Sequence, residues 1–270
     1  MKTKIQFLAT LILISNGLCL KTSAQSLKPT VIASCGGYFT GGGKSLSWTM
    51  GETITQTLQG GNSKLTQGFQ QPEIIVTILN LRAFIQGFYR GSGQMLAVSS
   101  PISNPTVCDT VTISIASATT PYAIIQTRKA VINTSGNGSF TFNNIAYKNY
   151  YLVIRHRNAL ETWSKTPISF NANSISYDFT NAATKAFGDN QISFGDGSFG
   201  IWSGDVTNGT TPGIQDGSIA ITDLTEIGNS SQLFSNGYLV DDLNGDGFVE
   251  AADYSLVENN VSLLVGIVRP

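Results

Sequence analysis

Between about Ile74 and Phe187, apolar and polar residues alternate with a period of two, which is the period of an extended strand with one buried face. Val111-Thr112-Ile113-Ser114-Ile115 and Ser139-Phe140-Thr141-Phe142 follow it strictly. Tyr150-Tyr151-Leu152-Val153-Ile154 is apolar throughout and ends in Arg155-His156-Arg157, so it predicts a strand covered on both faces with a polar end. Gly136-Asn137-Gly138 and Asn171-Ala172-Asn173 mark turns between such runs, and no long helical period interrupts them. Roughly seven or eight short strands here predict an antiparallel, immunoglobulin-like β-sandwich over residues 74–202.

The flanks have different patterns. Residues 25–73 are rich in Gly, Ser and Thr, with Gly36-Gly37, Gly41-Gly42-Gly43 and Gly60-Gly61 separating short alternating stretches such as Ser45–Met50. Short strands joined by Gly turns follow, with Tyr38, Phe39, Trp48 and Phe69 expected to pack on a neighbouring module. After Trp202 the period changes. Leu224 with Ile227, and Tyr254 with Val257, are apolar pairs three apart, as on one face of a short helix. The two helices belong to a repeat. Asp223–Asn229 aligns with Asp253–Asn259, and Asp216–Ile219 with Asp246–Val249, both at an offset of 30. The fold class expected is therefore mainly β with a small α C-terminal module over residues 203–270.

Charge separates the same segments. The net charge of −1 conceals 12 Lys/Arg against 7 Asp/Glu from Gln25 to Trp202, and one Arg against 10 acids from Ser203 to Pro270. The acidic tail still carries Ile219, Leu224, Ile227, Leu239 and Val240, so it should fold once a cation offsets its self-repulsion. The basic excess elsewhere is too diffuse for a nucleic-acid partner.

The source of that cation is legible in Asp242–Asp253. Oxygen-bearing side chains stand at positions 1, 3, 5 and 12, with Gly247 at 6, the spacing by which a hard cation collects six to eight oxygens. Ca²⁺ is the expected cofactor. Its ligands would be Asp242, Asn244, Asp246, the carbonyl of Phe248, Glu250 at position 9 and Asp253 in the closing position.

The N-terminus reads as an export signal over residues 1–24, with Lys2 and Lys4, an apolar core at Phe7–Ile14 and a small-residue end at Ala24. Ser15-Asn16-Gly17 breaks that core and no later run is long enough to span a bilayer, so no membrane span is expected in the mature chain. The mature chain should be secreted or held at the cell surface. Cys35 and Cys108 permit one disulfide or two separate thiols.

The duplicated loop, closing in Asp and leading straight into a helix, resembles the type I dockerin, a paired F-hand calcium module, over Ser203–Pro270. Cys108–Thr112, Arg155–Trp163 and the stretch Leu65–Pro72 are similar to segments of secreted Bacteroidetes modular proteins. The resemblance implies a cohesin-like or cell-surface protein partner and a link to polysaccharide degradation. It also implies a first calcium site at Asp205, Asp216, the carbonyl of Ser218 and Asp223. There Asp205 lies eleven residues before Asp216 instead of four, an insertion of seven about Thr207–Gly213. The site closes if that insertion bulges outward, and a weaker or empty site is the competing expectation. At loop positions 10 and 11, where the family selects its partner, Ile221-Thr222 and Ala251-Ala252 are atypical; the alanines cannot donate a side-chain hydrogen bond.

Catalytic candidates are few. His156 is the single histidine and reads as a strand-end polar contact. Glu161 and Asp178 could form a glycosidase pair, but nothing in the spacing joins them. Tyr150, Tyr151, Trp163 and Trp202 read as core before sugar platform. No phosphate loop, zinc spacing or triad is present. The expectation is an exported, non-enzymatic modular protein that binds calcium and assembles with a protein or surface partner. The alternative is a glycan-binding or adhesive sandwich with the calcium module as a cap.

Overall fold

The computed structural model describes residues 75–98 and 104–270 in full and, before them, the backbone of four short strands. The export segment over residues 1–24, the side chain of Cys35 and the aromatic side chains at 38, 39, 48 and 69 lie outside the described residues. The chain divides into two compact units, Met1–Glu73 and Ile74–Pro270. In the first, β1 (Cys35–Gly41) pairs antiparallel with β2 (Lys44–Met50), and β3 (Thr57–Gly60) with β4 (Ser63–Thr66).

In the second unit the chain runs through β5 (Val76–Arg82), β6 (Tyr89–Gly91), β7 (Gln94–Met95), β8 (Val107–Ser117) and β9 (Ile124–Asn133). It continues through β10 (Asn137–Asn143), β11 (Asn149–His156), β12 (Ala159–Trp163), β13 (Ile168–Ser169) and β14 (Ser174–Asp178). The short pair β15 (Ile192–Ser193) and β16 (Phe199–Gly200) precedes helices α1 (Ile221–Gln232) and α2 (Ala251–Ser262). The fold is mainly β, with two helices among the described residues.

Apart from the separate two-stranded pairs β6–β7 and β15–β16, these strands form two sheets around one core. The larger has the order β12-β11-β8-β9, with β13 also on β11; the smaller has the order β10-β5-β14. Alternation places Leu79 and Leu81 of β5, Phe140 and Phe142 of β10, and Val111, Ile113 and Ile115 of β8 in the shared interior. Burying each such side chain contributes about 1.5–3 kcal/mol, enough to fix which face turns inward. Tyr150 joins this core, while Tyr151 and Trp163 pack with Val153 on the opposite face of the larger sheet, which explains the unbroken apolar run of β11.

One pairing departs from the antiparallel sandwich that the pattern predicts. β14 lies parallel to β5, with Ser176 opposite Asn80. The chain crosses from β13 in the larger sheet to β14 in the smaller, and the long connection that parallel neighbours require is the run of strands between β5 and β14. Ile175 and Tyr177 still pack against the core, so the alternation is kept although the direction is reversed. Cys108 is a buried free thiol that lies 3.9 Å from Met95 Sδ.

The acidic tail belongs to this second unit. Ile227 of α1 and Val257 of α2 are fully buried in one cluster with Val206, Ile219, Leu243 and Val249, and that cluster includes Leu160 of β12. Tyr254 covers Gly228 of the other helix. Backbone meets backbone at Gly87, where a Cβ would stand 1.9 Å from the carbonyl oxygen of Leu243. Asn260 of α2 exchanges amide hydrogen bonds with Gln86, at 2.7 and 3.1 Å, and donates to Ser203 O at 2.6 Å. Because the tail's cluster takes in Leu160 of β12 and its backbone packs on Gly87, both should unfold in one transition. Gly87→Ala must force the two backbones apart and is expected to lower stability by roughly 1–3 kcal/mol. Urea unfolding followed by Trp fluorescence reads this shift; an unchanged midpoint would show that the contact is soft.

Candidate cation-binding loops

Each loop is organised by two aspartates that accept hydrogen bonds from the loop's own backbone. In the second loop, Asp242 Oδ1 accepts from Gly245 N–H at 2.7 Å and Oδ2 from Gly247 N–H at 3.0 Å. Asp253 Oδ1 accepts from Leu243 and Asn244 N–H at 2.8 and 3.0 Å, and Oδ2 accepts from Glu250 N–H at 2.9 Å. Asn244 Oδ1 accepts from Asp246 N–H, and Asp246 Oδ1 from Phe248 N–H, both at 2.9 Å. Such turns need Gly247, whose φ is +92°.

The first loop repeats most of this circuit, although Asp205 Oδ1 accepts from Asp216 N–H and Thr207 has no counterpart of the Asn244 bond. Asp205 Oδ2 accepts from Gly217 N–H, Asp223 Oδ1 from Val206 and Thr207 N–H, and Asp223 Oδ2 from Ala220 N–H. Asp216 Oδ1 accepts from Ser218 N–H at 2.9 Å. The insertion leaves this frame intact because it closes on itself. Thr207 bridges Pro212, Gly213 N–H donates to Val206 O at 2.7 Å, and residues 208–214 are exposed.

A two-fold relation joins the halves. Val249 N–H donates to Ser235 O and Gly237 N–H to Gly247 O; thirty residues on, Ile219 N–H donates to Val265 O and Ile267 N–H to Gly217 O. The segment after each helix is thus stitched to a loop. Neither stitch uses the carbonyl of Phe248 or Ser218, which the sequence places among the ligands. Asp223 and Asp253 also sit in the third position of α1 and α2, where each accepts from the N-cap N–H and starts the helix.

The carboxylates are buried without counter-charge. Asp205, Asp223, Asp242 and Asp253 are at most 1% exposed, and none makes an ion pair among the described residues. Burial, reinforced by the neighbouring Asp223, pushes the Asp205 carboxyl up to about 7. Burial likewise raises Asp253 to about 6, with Asp242 adding to the effect. Asp223 and Asp242 are also raised, chiefly by burial. Among the described residues, no three His, Cys, Asp or Glu side chains alone are close enough to hold a metal ion. The oxygen set expected for loop two is broader, since it counts Asn244 and a backbone carbonyl. Each Asp242 oxygen and Asp253 Oδ2 accepts a single N–H, so a lone pair remains on each for a hard cation. The residues therefore fit a Ca²⁺-type ion. Loop one offers less: Thr207 replaces the Asn, its hydroxyl is engaged with Thr211 O, and position 9 is Ala220. Glu250 is exposed at the start of α2.

What sequence spacing did not indicate is how loop two is anchored. Asn158 Nδ2 donates to Asp242 O at 2.8 Å, and Asn158 Oδ1 lies 2.9 Å from His156 Nδ1. His156 Nε2 lies 3.0 Å from Asp109 Oδ2, which also accepts from Arg157 Nε, while Tyr238 OH donates to Asp109 Oδ1 at 2.6 Å. Burial raises Asp109, but hydrogen bonds from His156 and Tyr238 and the charge of Arg157 outweigh it and hold the carboxyl well below its usual range. Burial pulls the His156 pKa down. Nε2 faces Asp109 Oδ2, and Nδ1 faces both Asn158 Oδ1 and the Asn158 N–H, so the ring is clamped between Asp109 and Asn158. His156 is thus a structural polar contact. Glu161 and Asp178 do not converge: Glu161 is held by Arg155, Arg269 and Trp163 on the larger sheet, and Asp178 by Thr180 on the smaller.

No family model matches the chain, and no curated protein does. Among solved structures, two type II cohesin–X–dockerin complexes from Acetivibrio cellulolyticus contain similar chains, one complex carrying a C-terminal and the other an N-terminal interface mutation. The identities are 19% and 20% and the TM-scores 0.42 and 0.39, over 68% of this chain and 94% of each of those. Values this low assign neither family nor function. The type I dockerin resemblance of Ser203–Pro270, and with it the Bacteroidetes modular class, is corrected. The tail contributes two helices and is one compact unit with the sandwich, and no family model supports a dockerin module there.

Raised carboxyl pKa values set a pH dependence. In chelator the folded chain holds protons on Asp205 and Asp253 that the unfolded chain has released, between about pH 4 and the folded values near 6 and 7. Stability should therefore fall as pH rises through this window. Denaturation midpoints in EDTA across that range check the sign, and Asp205→Asn should flatten the slope; a midpoint that climbs with pH would contradict the buried-carboxylate geometry.

Proposed function

We propose that the two loops bind calcium as structural cofactors, the second more tightly than the first, and that they brace an exported, non-enzymatic protein whose role is interaction. The observation that carries this is the repetition of one hydrogen-bond circuit around buried carboxylates that have no cationic partner. A divalent ion would supply that charge and convert mutual repulsion into attraction. The difference in oxygen count between the loops sets the order of affinity, since fewer ligands bind calcium more weakly.

A protein partner is the second half of the proposal. Leu233 and Phe234 after α1, and Leu263 and Leu264 after α2, are 61–88% exposed at two-fold-related positions. Phe234 and Leu264 both hold φ near +50°, a conformation that turns large apolar side chains outward on an acidic surface. A partner presenting apolar side chains rimmed by Lys and Arg would complement it. His156, Glu161 and Asp178 are each engaged in structural contacts, which supports a non-enzymatic role.

Isothermal calorimetry with calcium on the full chain should show two classes of site. Asp242→Asn should remove the tighter and Asp205→Asn the weaker. With calcium at about a hundredfold above its Kd, one site adds about 2.7 kcal/mol, which raises a shared unfolding midpoint by roughly 5–10 °C over that in EDTA. Absence of heat together with identical melting in calcium and EDTA would sink the proposal.

A further inference from the structure

An open cleft of about 660 Å³ lies between the smaller sheet and the adjoining ends of β8 and β9, and no residue of the two loops lines it. Its floor is set by strand register. Asn137, Arg82 and Asp178 form one row across β10, β5 and β14, and Ser139, Asn80 and Ser176 form the next. Strands about 4.8 Å apart make each row about 10 Å wide.

The side chains in these rows are held from behind, with bonding capacity left over. Arg82 is fixed by its Nε–H to Ser135 O and by stacking over the Phe84 ring. Asp178 Oδ1 accepts from both the N–H and the hydroxyl of Thr180. Arg82 Nη1 and Asp178 Oδ2 then face each other at 4.0 Å, too far apart for a hydrogen bond between them. Asn133 Oδ1 accepts from Ser135 and Asn137 N–H, which orients its amide, and Asn80 is oriented by Ser139 and Ser174. Asn137 and Ser176 are exposed beside them.

This chemistry selects its ligand. The facing charges cancel, so an anion or cation gains no net attraction. The rows are polar, and Val107, Val131 and Tyr177 beside them add apolar surface against which the C–H face of a sugar ring can pack. Amide, carboxylate and guanidinium groups are planar and bidentate, and together they offer donors and acceptors at neighbouring positions. Adjacent hydroxyls of a sugar ring present both roles at once. We infer that this cleft binds a neutral oligosaccharide. Rigid strands hold the groups, so little is lost in ordering them when the ligand arrives.

The test uses the calcium-saturated full chain on an array of immobilised cellohexaose, xylohexaose, mannohexaose and laminarihexaose, with oligogalacturonate as the acidic comparison. Binding to at least one neutral oligosaccharide is expected. It should weaken about tenfold or more in Asn137→Ala/Ser176→Ala, whose positions are exposed and should leave the unfolding midpoint unchanged, and again in Arg82→Gln. Failure to bind any neutral member, binding to oligogalacturonate alone, or affinity within about twofold of wild type in both variants would each overturn the inference. None of these outcomes depends on how the Asp242 loop binds calcium, which calorimetry reads separately.

Discussion

Burying a charged group is tolerable only when its lone pairs and protons are all spoken for, and this fold depends on one chain of such groups. Tyr238, Asp109, His156, Asn158 and the carbonyl of Asp242 connect β8, β11 and the second loop through contacts of 2.6–3.0 Å. A hydrogen bond to a charged group contributes about 1.5–3 kcal/mol, whereas removing one partner of a buried pair costs about 3–5 kcal/mol. The link is therefore stronger against breakage than its net contribution suggests. It places the first residue of the loop, Asp242, at a fixed height over β11, with Gly87 pressed against the next carbonyl.

That anchoring explains the asymmetry between the two halves of the repeat. The second loop is gripped by Asn158 and by Arg90, which donates to Asn244 O, and it keeps the uninterrupted spacing of oxygens. The first loop meets the sandwich through Gln215 Nε2 to Ala159 O and through Gly204 N–H to Asn158 O. Seven inserted residues were accommodated there because their own turn hydrogen bonds, centred on the Asn208 side chain, satisfy the extra backbone outside the frame. The duplicated circuit survives because it is made of local side-chain-to-backbone bonds. Asp205 and Asp223 both reach across the insertion, to Gly217 N–H and to Val206 and Thr207 N–H.

Much of this was legible in the sequence because it is periodic or local. The strands β8, β10 and β11 follow from alternation, and the two loops with their helices follow from spacing and the repeat. Long-range partners leave no such trace. His156 meets Asp109 across 47 positions, Asn158 meets Asp242 across 84, and Gln86 meets Asn260 across 174. For the same reason the parallel placement of β14 was missed, since alternation fixes which face is buried but not the direction of the neighbour. The dockerin resemblance failed at a related point: loop spacing identifies ligand geometry, whereas a module's independence depends on contacts such as Leu160 and Gly87 that lie outside it.

If one buried polar chain couples the proposed calcium site of the second loop to the sandwich, the coupling should be visible amide by amide. Native-state hydrogen exchange of the full chain, with and without calcium, measures it directly. The amides of Gly245 and Gly247 in the loop and of Leu152 and Ile154 in β11 should gain the same free energy of protection when calcium is added. A rise confined to the loop, with β11 unchanged, would contradict it.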